Sequence, residues 1–428
     1  MPTANDKAWE RYITARNLQL DGMTYRITAR DLKTAAKREP RLMTKFDTPR
    51  QLPRILRESG YAVMPVKNGE YLLFQGDIFT PLVKCSTQDA FKSQIAFPLA
   101  TVGRGTGEAE YLDNAFNSGL TAEFTQSGLL YLTIRGKERT RSFSFKIESS
   151  NLSVDVDGVQ IEIDAGYESE HDIILIEAKI GSPSHFNIRQ LYYPFCHFSI
   201  IAPQKRIRTL FFEYDLSAAT YTFYEFVFDD PEIFDSIRQA RCCVYSLVPR
   251  RPHKIDELLD ARFETTSDIV PQADDLNKVL ELLTLINRGQ NTTNEIADYF
   301  IFTPRQSNYY GEAAEYLGLI TREHGVFEMT ERGRDWIAAS PEKQQKFAAK
   351  LVVNSWVFRE LTSTARRKGY FTDEDIEKVI AMARMPNGRQ RYTQSTVGRR
   401  QRTIVAWIRW LTEQFGIFTY DNGKYRLA

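Results

Sequence analysis

Cysteine and histidine are scarce in this chain of 428 residues, which holds four cysteines and five histidines. The spacing of the cysteines (Cys85, Cys196, Cys242 and Cys243) matches neither a zinc site nor a disulfide-rich scaffold, so both are excluded. Cys242 and Cys243 are adjacent in a strand-like run and point opposite ways, which argues against a bond between them. We interpret all four as small buried apolar residues of a protein in a reducing compartment.

Long apolar runs are also missing. No run approaches the roughly 18 residues of a membrane span, and the N-terminal "MPTANDKAWERY" lacks the apolar segment of a signal peptide. We therefore expect a cytoplasmic protein with no membrane span. The net charge of +1 excludes a general polycation, so any nucleic-acid surface must come from local clustering. Hydrophobic residues at 42% and charged residues at 26% indicate a globular chain.

The residue pattern changes several times along the chain, which predicts several domains. The length predicts the same, since a typical domain has about 150 residues. The predicted segments are a basic α/β region (1–98), a mixed α/β domain (99–248), a proline-containing linker (249–275) and two mainly helical modules (276–340 and 341–428). In the first module three helices precede a strand, a turn and a strand, which is the order of a winged helix-turn-helix. We expect the second module to repeat this plan, since two predicted helices precede a hairpin there. The predicted class is a multidomain combination of α+β and α/β structure.

Two predicted strands, around 159–164 and 174–180, carry charge along one side although they otherwise have the pattern of a core. Residues two apart on a strand share a face, so Glu162 lies with Asp164, and Glu177 lies with Lys179. The twelve residues between Asp164 and Glu177 allow the strands to pair through a longish loop, which brings the two carboxylates within a few ångströms. At about 5 Å and a dielectric of about 20 they repel by about 3 kcal/mol. The pair must share a proton, recruit a cation or sit in water.

A hard divalent cation is the simplest of these solutions, because oxygen ligands and near-octahedral geometry suit magnesium. Bound Mg2+ supplies Lewis acidity and lowers the pKa of water. Lys179, two residues from Glu177, can orient a water nucleophile or stabilise developing charge. This combination cleaves phosphodiesters. A charged edge strand with a surface Glu and Lys is the non-functional alternative.

The same residues carry a family resemblance. Asp164, followed after twelve residues by "EAK" (177–179), resembles the PD-(D/E)XK nuclease motif, with Ile163 at the proline position. The segment "FNIRQLYYP" is similar to the helix after that motif in restriction and repair nucleases, where a glutamine, here Gln190, often faces the active site. "TPRQSNYYGEAAEYLGLI" resembles winged-helix segments attached to type II restriction endonucleases.

The resemblance implies a central PD-(D/E)XK mixed-sheet core followed by two winged-helix modules. It implies Asp164, Glu177, Lys179 and Gln190 as catalytic residues and Asp164 and Glu177 as ligands of Mg2+. Three further acids have two interpretations, as additional members of the metal site or as solvated surface residues: Glu110, Asp113 and Glu162.

Arginine is concentrated in 381–412, which contains seven arginines and no acidic residue. Arginine side chains can form paired hydrogen bonds to guanine, glutamine side chains can do so to adenine, and hydroxyl groups can bind phosphates. The start of the third helix in the first module offers similar groups, and the N-terminal end of such a helix meets base edges. The candidate DNA contacts are Arg305, Gln306, Asn308, Arg391, Gln394, Arg399, Arg400 and Arg402. A solvated helix face, or a packing module, is the alternative for each segment.

The expected function is site-specific cleavage of double-stranded DNA, as in type II restriction enzymes of the bacterial or archaeal cytoplasm. Cutting both strands needs two active centres, so we expect a homodimer or a transient dimer on DNA. A cognate DNA methyltransferase would act on the same site without needing to bind this chain. Two other functions stay open: a non-enzymatic winged-helix DNA-binding regulator, and a methylation-dependent or repair nuclease.

Overall fold

The computed structural model describes residues 2–86, 88–97, 99, 107–216, 218–249, 252–265, 269–384 and 387–428. It shows a multidomain mixed α/β protein with one large mixed sheet and several helices. The chain divides into two compact units. Unit 1 comprises Met1–Asp89, Leu120–Tyr214 and Tyr221–Tyr245, and unit 2 comprises Ala90–Gly119, Asp215–Thr220 and Ser246–Ala428.

The helices and strands of the described residues have the following bounds. The α-helices are α1 (Ala4–Arg16), α2 (Ala29–Ala36), α3 (Pro40–Thr44), α4 (Arg54–Glu58), α5 (Glu108–Asn117), α6 (Leu120–Thr125), α7 (Arg189–Ile201), α8 (Leu276–Asn287), α9 (Thr293–Phe300), α10 (Pro304–Tyr316), α11 (Glu331–Ala338), α12 (Pro341–Val353), α13 (Trp356–Lys368), α14 (Asp373–Met382) and α15 (Gln394–Phe415). The strands are β1 (Tyr25–Thr28), β2 (Tyr61–Lys67), β3 (Glu70–Gln75), β4 (Phe79–Pro81), β5 (Gln88–Lys92), β6 (Tyr131–Arg139), β7 (Phe143–Ile147), β8 (Leu152–Val156), β9 (Gln160–Glu168), β10 (Asp172–Ile180), β11 (His185–Asn187), β12 (Arg206–Asp215), β13 (Thr220–Phe228), β14 (Ile237–Val248), β15 (Ile320–Glu323), β16 (Val326–Met329), β17 (Phe418–Asp421) and β18 (Lys424–Leu427).

The N-terminal part of unit 1 is a small α/β layer. Strands β2 and β3 form the hairpin that the Asn68-Gly69 pair predicts, with Gly69 at a φ of 75°, and β1 adds antiparallel to β3. Helix α1 begins with a capping box between Thr3 and Asp6. The buried Trp9 of α1 donates its indole N–H to the Met43 carbonyl at 2.9 Å, which ties α1 to α3.

The large sheet has the strand order β5-β14-β13-β12-β10-β9-β6. Strand β10 is central because its apolar run from Ile173 to Ile176 is buried on both faces. It pairs parallel with β12 and antiparallel with β9, which makes the sheet mixed. Helix α7 packs against β9 and β10 through buried residues such as Leu191 and Tyr192. The edge of β10 near its C-terminal end therefore lies beside the start of α7.

Three local predictions in unit 1 are wrong. The sequence predicts a hairpin of the strands around 129–137 and 141–149, but β6 pairs with β9 while β7 pairs with β8. It predicts a helix around 230–240, where the structure has one short 3-10 turn and then β14. It predicts a longish loop between the charged strands, but β9 continues to Glu168 and β10 begins at Asp172. In each case pairing within the sheet overrides the local pattern.

The interpretation of the cysteines is also wrong in part. Cys85 and Cys242 form a disulfide across 157 positions of sequence, while Cys196 and Cys243 are free. The pattern of spacings gives no sign of this pair, because tertiary folding brings β14 next to the segment after β4. Cys243 is buried as predicted, and Cys196 is half-buried.

Unit 2 contains the same element order twice. Helices α8, α9 and α10 precede the antiparallel pair β15–β16, and α13, α14 and α15 precede the pair β17–β18. Capping boxes at Thr292 and Thr303 begin α9 and α10. Trp407 of α15 is fully buried and donates its indole N–H to the Ala273 carbonyl at 3.0 Å. Part of the predicted linker (250, 251 and 266–268) lies outside the described residues, and the rest includes two short 3-10 helices, Ile255–Glu257 and Ala261–Phe263.

None of the described helices is both long and apolar enough to cross a membrane.

Two helical glycines of unit 2 allow a matched stability test. A Cβ at Gly333 of α11 would lie 2.2 Å from the Leu319 carbonyl oxygen, whereas a Cβ at Gly398 of α15 would meet nothing within 4 Å. We expect Gly333→Ala to lower the free energy of unfolding by about 2 kcal/mol, because backbone must shift. Gly398→Ala should raise it by up to about 1 kcal/mol, since alanine is the better helix former. Urea denaturation of the full chain measures both, and equal effects of the two changes would contradict the close approach at Gly333.

Candidate active site

The pairing of β9 with β10 sets the geometry of the charged strands. The register runs from Ile173 opposite Glu168 to Ile176 opposite Ala165. One further step along this register places Asp164 opposite Glu177. The backbone pairing of the two strands ends at Ile176 and Ala165. Beyond it, the Asp164 side chain accepts a hydrogen bond from the backbone of β10. The two acids are thus cross-strand neighbours, and their separation of a few ångströms stays a prediction.

Asp164 is half-buried and bridges the strands with its side chain. The Ala178 N–H donates to Asp164 Oδ2 at 2.8 Å, so the carboxylate accepts the hydrogen bond of a strand amide. Burial raises the pKa of Asp164, and the Ala178 N–H and the Lys179 ammonium oppose this effect. The nearby Glu162 carboxylate raises the pKa further. The carboxylate is therefore held in one orientation while its charge is only partly compensated.

Glu177 is 8% exposed and accepts two hydrogen bonds at one oxygen. Lys179 Nζ lies 2.5 Å from Glu177 Oε1, and the Gln190 side-chain amide donates to the same oxygen. Burial raises the pKa of Glu177 to about 7; the Lys179 charge lowers it, and the Asp164 charge raises it. Two acids and one ammonium group thus meet on a face that is shielded from solvent, where electrostatic interactions are strong.

Gln190 reaches Glu177 because the chain before α7 is fixed to the N-terminal α/β layer. The Asn187 side chain donates to the Phe46 carbonyl at 2.9 Å, and Gln190 Oε1 accepts from the Asn187 N–H at 3.3 Å. Gln190 Nε2 also lies 3.5 Å from Asp47 Oδ1. The sequence gives no signal for a role of Asp47, since an isolated acid in a basic segment is unremarkable. Only the tertiary contact reveals it.

A third buried acid lies on the next strand. Glu213 of β12 pairs in register with Lys179 and is 3% exposed. It accepts from the Tyr224 hydroxyl at 3.2 Å, and the Lys84 ammonium lies 3.6 Å from its other oxygen. The sequence gives no signal for this residue, because "RTLFFEYDL" has the alternation of an ordinary strand. Polar side chains on this face of the sheet thus extend from β9 across β10 to β12; they are Asp164, Glu177, Lys179 and Glu213.

The other predicted acids lie in different places. Glu162 is exposed on β9, and its charge acts on Asp164 as described. Glu110 and Asp113 lie on α5, in unit 2. Among the described residues no group of three or more His, Cys, Asp or Glu side chains is arranged to hold a metal ion. Asp164 and Glu177 are a pair of carboxylates, and which acids join them stays a prediction.

The candidate DNA contacts on α10 surround its capping box. Arg305 is exposed, and its Nε donates to the Tyr309 hydroxyl at 2.6 Å. Gln306 is exposed but its Oε1 accepts from the N–H and hydroxyl of Thr303 at 3.0 Å each. Asn308 is half-buried and accepts weakly from Arg322 at 3.5 Å. Of the three, the Arg305 guanidinium is the group most open to a ligand.

The candidates at the start of α15 divide into two classes. Gln394, Arg399 and Arg402 are exposed. Arg400 is buried, its guanidinium lies 4.2 Å from the centre of the Tyr392 ring, and burial lowers its pKa. The half-buried Arg391 lies just before the helix. Arg400 thus contributes to packing, which a count of arginines in the sequence does not reveal.

Comparisons with known proteins match the chain in three consecutive parts. The chain is similar to three family models, each described as a domain of unknown function: DUF6996 over 6–73, DUF6997 over 74–246 and DUF7226 over 278–416. No curated protein and no solved structure matches it. Asp164, Glu177, Lys179 and Gln190 all lie within the second matched range, while Asp47 lies within the first.

Proposed function

We propose that this chain is a Mg2+-dependent endonuclease that cuts double-stranded DNA at specific sites, with a centre of the PD-(D/E)XK type. The observation that carries the proposal is the ion pair of Lys179 and Glu177 on a buried sheet face, with Asp164 opposite Glu177. A structural ion pair does not need a second, only partly compensated carboxylate beside it. Hydrolysis of a phosphodiester can use one, because two carboxylates can hold a divalent cation that would balance negative charge at the reacting phosphate.

The residues present fit magnesium by their chemistry. Asp164 and Glu177 would hold it, since both are carboxylates and the register of the paired strands places them opposite each other. When bound, Mg2+ would supply Lewis acidity at the phosphate. The mutual repulsion of the two acids also decreases when a cation binds between them.

Each protein group then has a separate task in the hydrolysis. Lys179 orients the attacking water and stabilises the charge that develops on the phosphate oxygens. The water loses a proton to solvent as its oxygen forms the new bond to phosphorus, and the leaving deoxyribose oxygen takes up a proton from solvent as its bond to phosphorus breaks. Gln190 holds the Glu177 carboxylate, and the Ala178 N–H holds Asp164. These contacts fix the acids before the substrate arrives, which lowers the cost of orienting them.

Unit 2 is proposed to choose the cleavage site. Both of its modules have three helices followed by a two-stranded antiparallel sheet, which is the element order of a winged helix. The exposed Arg305 on α10 and the exposed Arg399 and Arg402 on α15 are suited to base edges or phosphates. We further propose that the protein acts in the cytoplasm as a homodimer or transient dimer, because two strands must be cut.

Digestion of methylated and unmethylated plasmid, each with Mg2+ and with EDTA, tests the proposal. We expect discrete fragments from unmethylated plasmid with Mg2+ and none with EDTA. Cleavage of methylated plasmid alone would instead identify a methylation-dependent nuclease. Binding of DNA without any Mg2+-dependent cleavage would contradict the nuclease and support a regulator whose central domain is a scaffold.

A further inference from the structure

A cleft of about 1000 Å³ lies in the N-terminal part of unit 1, lined by parts of 2–10 and 38–57. Its lining has six basic residues: Arg38, Arg41, Lys45, Arg50, Arg54 and Arg57. Three acids, Asp6, Glu10 and Asp47, accompany them. Because the whole chain has a net charge of only +1, the cleft is a local concentration of positive charge.

Most of this positive charge is not neutralised by neighbours. Arg54 pairs with Glu58, and Asp6 accepts hydrogen bonds from the backbone of Arg54 and Thr3. Four cleft residues form no ion pair with any residue that the structure describes: Arg41, Lys45, Arg50 and Arg57. All four side chains are exposed at the surface. Their charges are therefore available to an anionic ligand.

The cleft adjoins the candidate active site through the segment 45–47. The Phe46 carbonyl accepts from Asn187, and Asp47 lies 3.5 Å from Gln190, whose amide donates to Glu177. The Gln190 side chain therefore connects Asp47, in the lining of the cleft, to Glu177.

The composition of the cleft distinguishes between classes of nucleic acid. Single-stranded DNA or RNA is held by aromatic rings on which its bases stack. Among the lining residues that the structure describes, Phe46 is the only aromatic one, and it is 3% exposed. The basic residues come instead from several successive elements, from the end of α2 to α4. Such a surface contacts phosphates and not bases.

We infer that this cleft binds the sugar-phosphate backbone of duplex DNA and leads it to the paired acids. The inference rests on the proposed nuclease function and assigns the N-terminal region a part in it. The cleft carries no sequence information, since phosphate contacts fix position only. Site choice stays with unit 2.

A pair of charge-reversal variants tests the cleft. Arg41→Glu/Arg50→Glu/Arg57→Glu changes three exposed cleft residues, and Arg26→Glu/Arg30→Glu/Lys37→Glu changes three exposed basic residues of the same region that do not line it. Binding of a 30-base-pair duplex is measured in EDTA by fluorescence anisotropy at several salt concentrations. We expect the cleft variant to bind at least tenfold more weakly and to lose about 2 to 3 units of the slope of log K against log salt. The control variant should change affinity less than twofold.

The outcomes separate this inference from the proposed function. Equal losses in the two variants, no loss in the cleft variant, or no duplex binding by the wild-type chain would each overturn the cleft. Cleavage of plasmid with Mg2+ is scored independently on the wild-type chain. If it cuts DNA while both variants bind alike, only the inference fails. If it binds through the cleft but never cuts, the nuclease fails and a duplex-binding surface remains. Unchanged thermal unfolding midpoints show that both variants fold.

Discussion

Glu177→Gln and Asp164→Asn should each lower the rate of Mg2+-dependent DNA cleavage by at least about a thousandfold, which corresponds to about 4 kcal/mol of transition-state free energy. Both changes keep the shape of the side chain and remove its charge. The variants can still accept the hydrogen bonds from Lys179 or from the Ala178 N–H. What they lose is negative charge, which in the proposed function would hold a divalent cation and balance the ammonium group. Single-turnover cleavage of plasmid measures the loss.

The matched control for this prediction is Glu170→Gln, an exposed acid in the turn that joins β9 to β10. It removes the same charge from the same pair of strands and should leave cleavage within about twofold. Duplex binding in EDTA should persist in all three variants. The thermal midpoint of Glu177→Gln should stay equal or rise, because burial already raises the pKa of Glu177 and the change removes a buried charge. Cleavage by Glu177→Gln at the wild-type rate would falsify the assignment.

Asp172→Ala should lower the free energy of unfolding by about 3 kcal/mol, because it leaves a buried arginine without one of its partners. The Asp172 carboxylate accepts from Arg206 at 2.7 Å and from the Ser127 hydroxyl at 2.6 Å, and it lies 3.5 Å from Arg208. Glu225 still pairs with Arg208 at 2.6 Å in the variant, which places the loss at the low end of the range for buried pairs. Urea denaturation measures the change.

The same residue predicts how stability depends on pH. Burial alone would raise the pKa of Asp172, but hydrogen bonds from Arg206 and Ser127 and the arginine charges outweigh it and lower the pKa from 3.8 to about 2. The folded form thus holds this carboxylate ionised more readily than the unfolded chain does. Its stabilisation is present above pH 3.8 and is lost as the pH falls toward 2. The Asp172→Ala variant should lack this part of the acid dependence.

An exposed aspartate of the same unit serves as the control. Asp155 of β8 accepts from the Ser144 hydroxyl at 2.7 Å on the surface. Asp155→Ala should change the free energy of unfolding by less than about 1 kcal/mol, since water replaces the lost contact. If Asp172→Ala costs no more than Asp155→Ala, the buried network does not stabilise unit 1.

Local patterns predicted the parts of the candidate site that depend on near neighbours in sequence. The two-residue period of a strand placed Glu177 and Lys179 on one face, and the apolar run before them placed that face in a sheet. The spacing to Asp164 allowed the two strands to pair, and they do. The helix that carries Gln190 was predicted from "FNIRQLYYP", and α7 begins there at Arg189.

Contacts between distant segments were beyond such patterns. Asp47 and Gln190 are separated by 143 positions, and Cys85 and Cys242 by 157. Glu213 lies on the same sheet face as Lys179 because β10 pairs in parallel with β12. The strand that follows β10 in sequence is β11, which belongs to another sheet. A single sequence contains no signal for such pairs, since strand pairing is decided by which faces can be buried together.

The arginine-rich segment shows the same division between sequence and structure. Its composition marked α15 as a basic helix, and Arg399 and Arg402 are exposed on it. Composition could not show that Arg400 points inward and stacks on Tyr392. Burial of one arginine between two exposed ones follows from the helical period and from the side of α15 that packs on its neighbours.

By itself, then, the sequence determined most of the element types, the strand faces and the chemistry of the residues that form the charged pair, because these follow from dihedral preferences and side-chain periods over a few residues. Only the tertiary structure decided that the lining of the basic N-terminal cleft contacts Gln190, that one arginine is buried and that two cysteines are bonded. Those facts depend on packing, which selects among many pairings that are locally equal in free energy.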